Sequence, residues 1–301
     1  MDYPSQVTIV EVGPRDGLQN ESSFVATETK VDFINLLSLS GLKHIEVTSF
    51  VSAKAIPQLA DNEAVFSAIN KPADVHFSAL VPNERGMIQA LNANVKEIAV
   101  FTAASETFNQ RNINCSIKES IARFEPVVLL AKAHKIPVRA YISCVLGCPY
   151  EGAITPAQVI DVASQLLRLG VDEICLGDTI GVGTPKQTKA AINGVLQLLP
   201  LSRLAMHFHD TYGQAIANIV ASLDCGVVRF DSAVAGLGGC PYARGATGNV
   251  ATEDVLYLMH GLGIETGVDI YKVVAAGELI CKALNRKNQS KVANALLANQ
   301  C

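Results

Sequence analysis

Val7-Thr8-Ile9-Val10-Glu11-Val12 runs directly into Gly13-Pro14-Arg15-Asp16-Gly17. The first six residues are mostly β-branched and apolar, the composition of a strand. The turn that follows separates two α/β architectures. A doubly wound open sheet usually opens with a Gly-rich phosphate turn after its first strand. Here the turn carries charged side chains, Arg15 and Asp16. Charged strand ends suit a (β/α)8 barrel, whose active site is built at the C-terminal ends of its strands.

The rest of the chain repeats the unit. Further β-rich runs are His44–Ser49, Asp74–Val81, Glu97–Ala103, Pro137–Val145, Glu173–Asp178, Arg203–His209 and Val228–Val234. Amphipathic stretches lie between them: Glu28–Leu39, Ile117–His134, Pro156–Leu169, Pro185–Leu198 and Gly213–Leu223. Thr155-Pro156 and Thr184-Pro185 each place an N-cap before a Pro at the first helical position. Gly41, Gly170 and Gly226 follow apolar helical runs as C-cap glycines. Eight such units in about 260 residues predict an α/β fold of the TIM-barrel type, which typically takes roughly 250 residues. No linker or composition shift interrupts the chain, so residues 1–301 read as one catalytic domain. From about Asp269 onward, extra C-terminal helices are expected, covering the barrel mouth or forming an oligomer contact.

Composition narrows the function. With 49% hydrophobic residues, 17% charged residues and a net charge of −4, the chain has a core but no global positive field for nucleic acid or an anionic membrane. No apolar run approaches the roughly 20 residues of a membrane helix. Met1-Asp2-Tyr3-Pro4 carries no signal-peptide pattern, which predicts a cytoplasmic protein. The eight cysteines form no CxxC pair, so they read as reduced and a structural zinc site is not expected.

The polar groups that fall at strand ends are Arg15 and Asp16, Glu46 and Thr48, Asp178, His207 and His209, and the loop Gly236–Asn249. His207-Phe208-His209 puts two imidazoles on one strand face, roughly 6.5–7 Å apart along it. Two such rings can share a metal ion; the bland alternative is one ligand and one packed strand histidine. Asp16 and Asn249 can add oxygens. A mixed N/O set without thiolate suits Mg²⁺ or Mn²⁺, with Zn²⁺, Co²⁺ and Fe²⁺ left open. Glu46, flanked by Ile45 and Val47, needs a partner inside a barrel, and Arg15 on the neighbouring strand is the natural one. Orienting Arg15 is then enough to explain Glu46. Asp178, on the strand beside the histidines, reads as a group orienting an imidazole; the alternative, N-capping the Thr184 helix, is set aside because Asp178 lies too far upstream. Cys240, among glycines in the last loop, reads either as a proton shuttle or as an inert loop thiol. Gly147-Cys148-Pro149-Tyr150-Glu151 shapes the rim, and His44, His76, His134 and His260 read as structural. There is no GxSxG, and no lysine sits inside a strand for a Schiff base.

Three stretches carry a resemblance. Val12–Glu21 (VGPRDGLQNE), Ile45–Phe50 (IEVTSF) and Gly236–Ala243 (GLGGCPYA) look like hydroxymethylglutaryl-CoA lyases, within a wider group of metal-dependent barrel lyases and Claisen synthases. The likeness spans nearly the whole chain. The wider group shares the RDG turn and the HxH; the segment holding Cys240, inserted before Gly248-Asn249, points to the lyases. Ala55 stands where many relatives carry Trp, a residue this chain lacks altogether.

The resemblance implies metal ligands Asp16, His207, His209 and Asn249. It implies Arg15 as stabiliser of a product enolate, Cys240 as acid/base, and Glu46 and Asp178 as supporting residues. Arg111 and Asn112 resemble a stretch that meets the CoA portion. The implied reaction is retro-Claisen cleavage of an acyl-CoA substrate to acetyl-CoA and acetoacetate, with a place in leucine degradation and ketone-body metabolism. Asp16 and a histidine both remain open as the base. A related 3-hydroxyacyl-CoA substrate, or a condensing synthase, are the alternative readings. A non-catalytic binding module is disfavoured, because it would not need Arg15, Asp16, His207, His209 and Cys240 together. A homodimer is expected.

Overall fold

The computed structural model describes residues 3–239 and 248–299. In chain order the elements are β1 (Thr8–Glu11), α1 (Thr27–Ser38), β2 (His44–Ser49), α2 (Asn62–Ala68), β3 (His76–Leu80), α3 (Glu84–Asn92), β4 (Glu97–Ala103), α4 (Glu106–Ile113), α5 (Ile117–Ala133), β5 (Val138–Ser143), α6 (Pro156–Leu169), β6 (Glu173–Asp178), α7 (Pro185–Val195), β7 (Leu204–Phe208), α8 (Ala215–Asp224), β8 (Arg229–Ser232), α9 (Thr252–Gly261), α10 (Ile270–Leu284) and α11 (Lys291–Ala298). The strands form a closed barrel in sequence order, and β8 pairs with β1 in parallel. No helix among the described residues is long and apolar enough to cross a membrane.

The local signals work as the sequence suggests. Gln158 reaches back to Thr155 N at 2.9 Å, and Gln187 to Thr184 N at 3.0 Å, closing capping boxes on α6 and α7. Gly170 ends α6 at φ 98°, a left-handed conformation that costs glycine little. Five strands, β1, β3, β5, β7 and β8, are shorter than the runs read from sequence, and three of them end on a visible break. Cys144, at φ 60°, turns the chain out of β5, and residues Val234–Gly236 coil into a helical turn after β8. His209 leaves the β7 ladder to bridge to Asn249.

The barrel interior holds an apolar layer of Leu80, Ala99, Tyr141, Cys175 and Ala205, with Phe101 packed on it. The outward faces of the strands pack under the helices in the larger core. The C-terminal helices act as a brace. α10 lies against α1 and the Val234–Gly236 turn, and α11 against α9. The link between them reaches the mouth: Gln289 N donates to Ala235 O at 3.1 Å, and Arg286 pairs with Glu21 in the loop after β1.

Two buried carboxyls stitch the same joint from below. Glu11 accepts from Gly13 N at 2.8 Å, Val234 N at 3.0 Å and Thr252 Oγ1 at 2.7 Å. It thereby ties the turn after β1 to the turn after β8. Glu253 accepts from Ala235 N at 3.0 Å. Burial outweighs these donors and pushes Glu11 up to about 7 and Glu253 up to about 8. Both carboxyls hold a proton more firmly folded than unfolded. Their contribution to stability is therefore complete below the ordinary carboxylate range and is lost as pH rises through about 7 and about 8. Calorimetric melting of Glu253→Gln should accordingly fall less than that of the unaltered protein over this rise, whereas parallel curves would contradict the assignment.

Candidate metal centre and active site

The turn after β1 is a single wide helical turn, Gly13–Gly17, with Asp16 N and Gly17 N both bonded to Val12 O. Such turns are frequent at functional sites. It points Arg15 into the barrel mouth. The guanidinium donates from Nε to Glu46 Oε2 at 2.8 Å, has Nη2 2.7 Å from the same oxygen, and donates from Nη1 to Asp16 Oδ1 at 2.7 Å. Tyr141 Oη also donates to Glu46 Oε2, at 3.3 Å. The partnership of Glu46 with Arg15 expected from sequence is therefore present. Burial disfavours the charge on Arg15, but Glu46 and then Asp16 outweigh it and raise its pKa further. Burial likewise raises the Glu46 carboxyl, against the pull of Arg15.

Across the mouth, His207 and His209 share a face of β7 and its exit, with ring centroids 5.3 Å apart. A ligand atom from each of Asp16, His207 and His209 falls within 4.8 Å of the others. Burial pushes the Asp16 carboxyl up, but Arg15, then His207 and His209, outweigh it and hold it below the usual carboxylate range. Asn249 is brought in by the returning loop, which pairs along the end of β7: Val250 N donates to Phe208 O and Asp210 N to Gly248 O. Its Nδ2 donates to Asp16 Oδ2 at 2.8 Å and to Leu237 O at 3.1 Å. Two acceptors thus fix the orientation of the amide. Its Oδ1 is buried with no hydrogen-bond partner among the described residues. An orphaned oxygen on an amide that is bonded to Asp16, itself grouped with His207 and His209, fits a cation as the missing partner. Close approach here demands glycine: a Cβ on Gly238, at φ 113°, would lie 2.7 Å from Asn249 Nδ2.

The site opens into a cavity of about 800 Å³. Arg15, Asp16, His207 and His209 line it, as do Phe101, Phe108 and Phe124. Asn112 and Ala55 also line it, while Arg111 lies over the Tyr150 ring, 4.2 Å from its centroid. Gly239 lines the cavity, and Asn20 Nδ2 donates to its carbonyl at 3.1 Å. Cys240, like Cys301, lies outside the described residues. The six described cysteines are free thiols.

One expectation is corrected. The Asp178 carboxylate does not hydrogen-bond an imidazole. It accepts from Val182 N at 3.2 Å and Gly183 N at 2.9 Å, holding the turn that leads into α7. Burial, opposed by these bonds, sets it at about 6. The nearby backbone amides of its own turn compete successfully with a ring on the next strand. The carboxylate against His207 is Asp231 on β8, which sequence reading passed over along with Arg139 and Tyr141 on β5. A signal was available: Asp231 sits inside the strand run Val228–Val234, where a carboxylate needs a partner as Glu46 does.

The Arg15–Glu46 pair should behave as a buried ion pair. Arg15→Met leaves Glu46 uncompensated and should cost roughly 3–5 kcal/mol in denaturant unfolding, while Arg15→Met combined with Glu46→Met should recover much of that loss. Additive losses would contradict the pairing.

A profile of the HMGL-like family matches residues 6–280. The cytoplasmic 3-hydroxy-3-methylglutaryl-CoA lyase of Danio rerio is 57% identical over 296 residues, 98% of this chain and 88% of that one. The 3-hydroxy-3-isohexenylglutaryl-CoA/hydroxy-methylglutaryl-CoA lyase of Pseudomonas aeruginosa is 56% identical over 298 residues, 99% of each chain. An HMG-CoA lyase from Acinetobacter baumannii, solved in complex with coenzyme A and 3-methylmalate, superposes with a TM-score of 0.93 at 37% identity, covering 98% of this chain and 96% of that one. With the family match spanning the barrel and the strand-end residues that build the site, this chain belongs to the HMGL-like family.

Proposed function

We propose that this protein is a carbon–carbon lyase that cleaves 3-hydroxy-3-methylglutaryl-CoA into acetyl-CoA and acetoacetate. The observation that carries the reading is the placement of the Arg15 guanidinium, at 2.7 Å from Asp16, beside the Asp16–His207–His209–Asn249 donor set in the cavity. The relatives named above, and the coenzyme A held by one solved neighbour, support an acyl-CoA substrate.

The chemistry is a retro-Claisen step. The C3 hydroxyl loses its proton to Asp16 or His209, both of which line the cavity. The C2–C3 bond breaks, C3 becomes the ketone of acetoacetate, and the bonding pair moves onto the thioester fragment as an acetyl-CoA enolate. A divalent cation held by Asp16, His207, His209 and Asn249 would supply Lewis acidity that lowers the hydroxyl pKa. The donor set favours Mg²⁺ or Mn²⁺. Arg15 has Nε committed to Glu46, and the remaining N–H groups of Nη1 and Nη2 are available to hold the enolate oxygen. Glu46 and Tyr141 keep that fork from rotating. Cys240 delivers the proton to C2, completing acetyl-CoA.

The phenylalanines among the cavity's lining residues favour a second substrate of the same class, a 3-hydroxyglutaryl-CoA bearing a larger apolar 3-substituent. The double name of the Pseudomonas aeruginosa relative points the same way.

Coupled assay of acetoacetate release tests the proposal. EDTA treatment should abolish release, and Mg²⁺ or Mn²⁺ should restore it. Arg15→Gln should lower turnover roughly 10²–10³-fold, and Cys240→Ser roughly 10²-fold or more. Turnover indifferent to EDTA would sink the metal role, and condensation in place of cleavage would move the protein to the synthase branch.

A further inference from the structure

Asp231 has no part in the mechanism above, yet it meets a member of the donor set. Its Cα stands in register with His207 across the β7–β8 pair, so both side chains point into the barrel. Asp231 Oδ2 lies 3.1 Å from His207 Nδ1. Oδ1 accepts from Arg139 Nη2 at 2.7 Å, and Cys175 Sγ donates toward Oδ2 at 3.6 Å. Arg139 cannot drift, since its Nε is 2.7 Å from Glu173 and its Nη1 donates to Tyr141 Oη at 3.2 Å. The Asp231 side chain is fully buried. On the far side of the ring, His207 Nε2 faces Asp16 Oδ2 at 4.0 Å.

We propose that Asp231 is a positioning residue that locks His207 in the tautomer carrying its proton on Nδ1, so that the Nε2 lone pair faces the cation site. The inference rests on the metal reading above. A neutral imidazole has one donor and one acceptor nitrogen, and an ionised carboxylate can only accept. Nδ1 must therefore be the donor. Outer partners of metal-bound histidines act in this way, and their loss typically weakens metal binding 10–100-fold. A carboxylate serving only as counter-ion to Arg139 would support the fold and leave the ring's tautomer alone.

Asp231→Asn separates the two roles. Arg139 only donates, so the new amide must give it the oxygen and turn its Nδ2 toward His207 Nδ1. The ring then carries its proton on Nε2, where the ion should bind. Mn²⁺ titration of the full-length variant, followed by electron paramagnetic resonance, should show affinity about 10–100-fold below the unaltered protein, with an unchanged circular dichroism spectrum. A folded variant that binds Mn²⁺ equally well overturns this inference alone. An unaltered protein that takes up no Mn²⁺ overturns the metal reading, and this one with it. Should the variant not fold, ¹⁵N spectra of the metal-free unaltered protein decide. Protonated Nδ1 on His207 supports the assignment, and protonated Nε2 overturns it.

Discussion

A chain of buried charge threads the barrel, and the site depends on it. Asp16 holds Arg15, Arg15 holds Glu46, Tyr141 joins Glu46 to Arg139, and Arg139 holds Asp231, which meets His207. The hydroxyl of Tyr141 accepts from the guanidinium and donates to the carboxylate, so polarity runs one way through it. An ion stranded without its partner inside a protein costs several kcal/mol. Each member therefore fixes the next far more tightly than an apolar contact of the same size. The two ends of the chain, Asp16 and His207, both belong to the donor set. A barrel filled with aliphatic side chains would pack as well but would leave those ends free to rotate.

The fold supplies the rest through register and return. Parallel pairing of β7 with β8 sets Asp231 beside His207, and the two-residue repeat of β7 sets His209 on the same side. The loop after β8 comes back along the end of β7, which delivers Asn249 from a distant part of the sequence. Glu11 and Glu253 hold the roots of that loop and of the Arg15 turn from beneath, and α10 backs them from outside. The turns that carry Arg15 and Asp16 and that lead to Asn249 thus rest on one joint, and glycine at 238 permits a close approach beside it.

Much of this was legible in the sequence. Eight apolar runs with helix caps between them indicate a barrel because period and punctuation are local properties. Arg15, Asp16, His207 and His209 stand out because the end of a barrel strand faces the mouth, where a charged or imidazole side chain has room to meet a ligand. Glu46 could be paired with Arg15 because adjacent parallel strands bring them together. The short helices α2, α3 and α4 escaped, since seven to nine residues give too few turns for a clear period. Arg139 and Tyr141 escaped because their contacts with Asp231 and Glu46 cross the barrel interior, and no spacing along the chain encodes such a contact. Asp231, on the strand beside His207, escaped because Asp178 on the other flanking strand was read as the partner instead. Asp178 was misread for the complementary reason: strand adjacency suggested a histidine, while amides four and five residues away in its own turn took the carboxylate. The orphaned oxygen of Asn249 exists only in three dimensions.

This ionic chain is expected to present one preformed cation site at the barrel mouth. Crystals of the full-length protein soaked in Mn²⁺, with diffraction recorded at the manganese absorption edge, test it most directly. The expected result is a single strong anomalous peak bonded to Asp16, His207, His209 and Asn249 Oδ1. A peak elsewhere, or none at these four residues at saturating Mn²⁺, would contradict it.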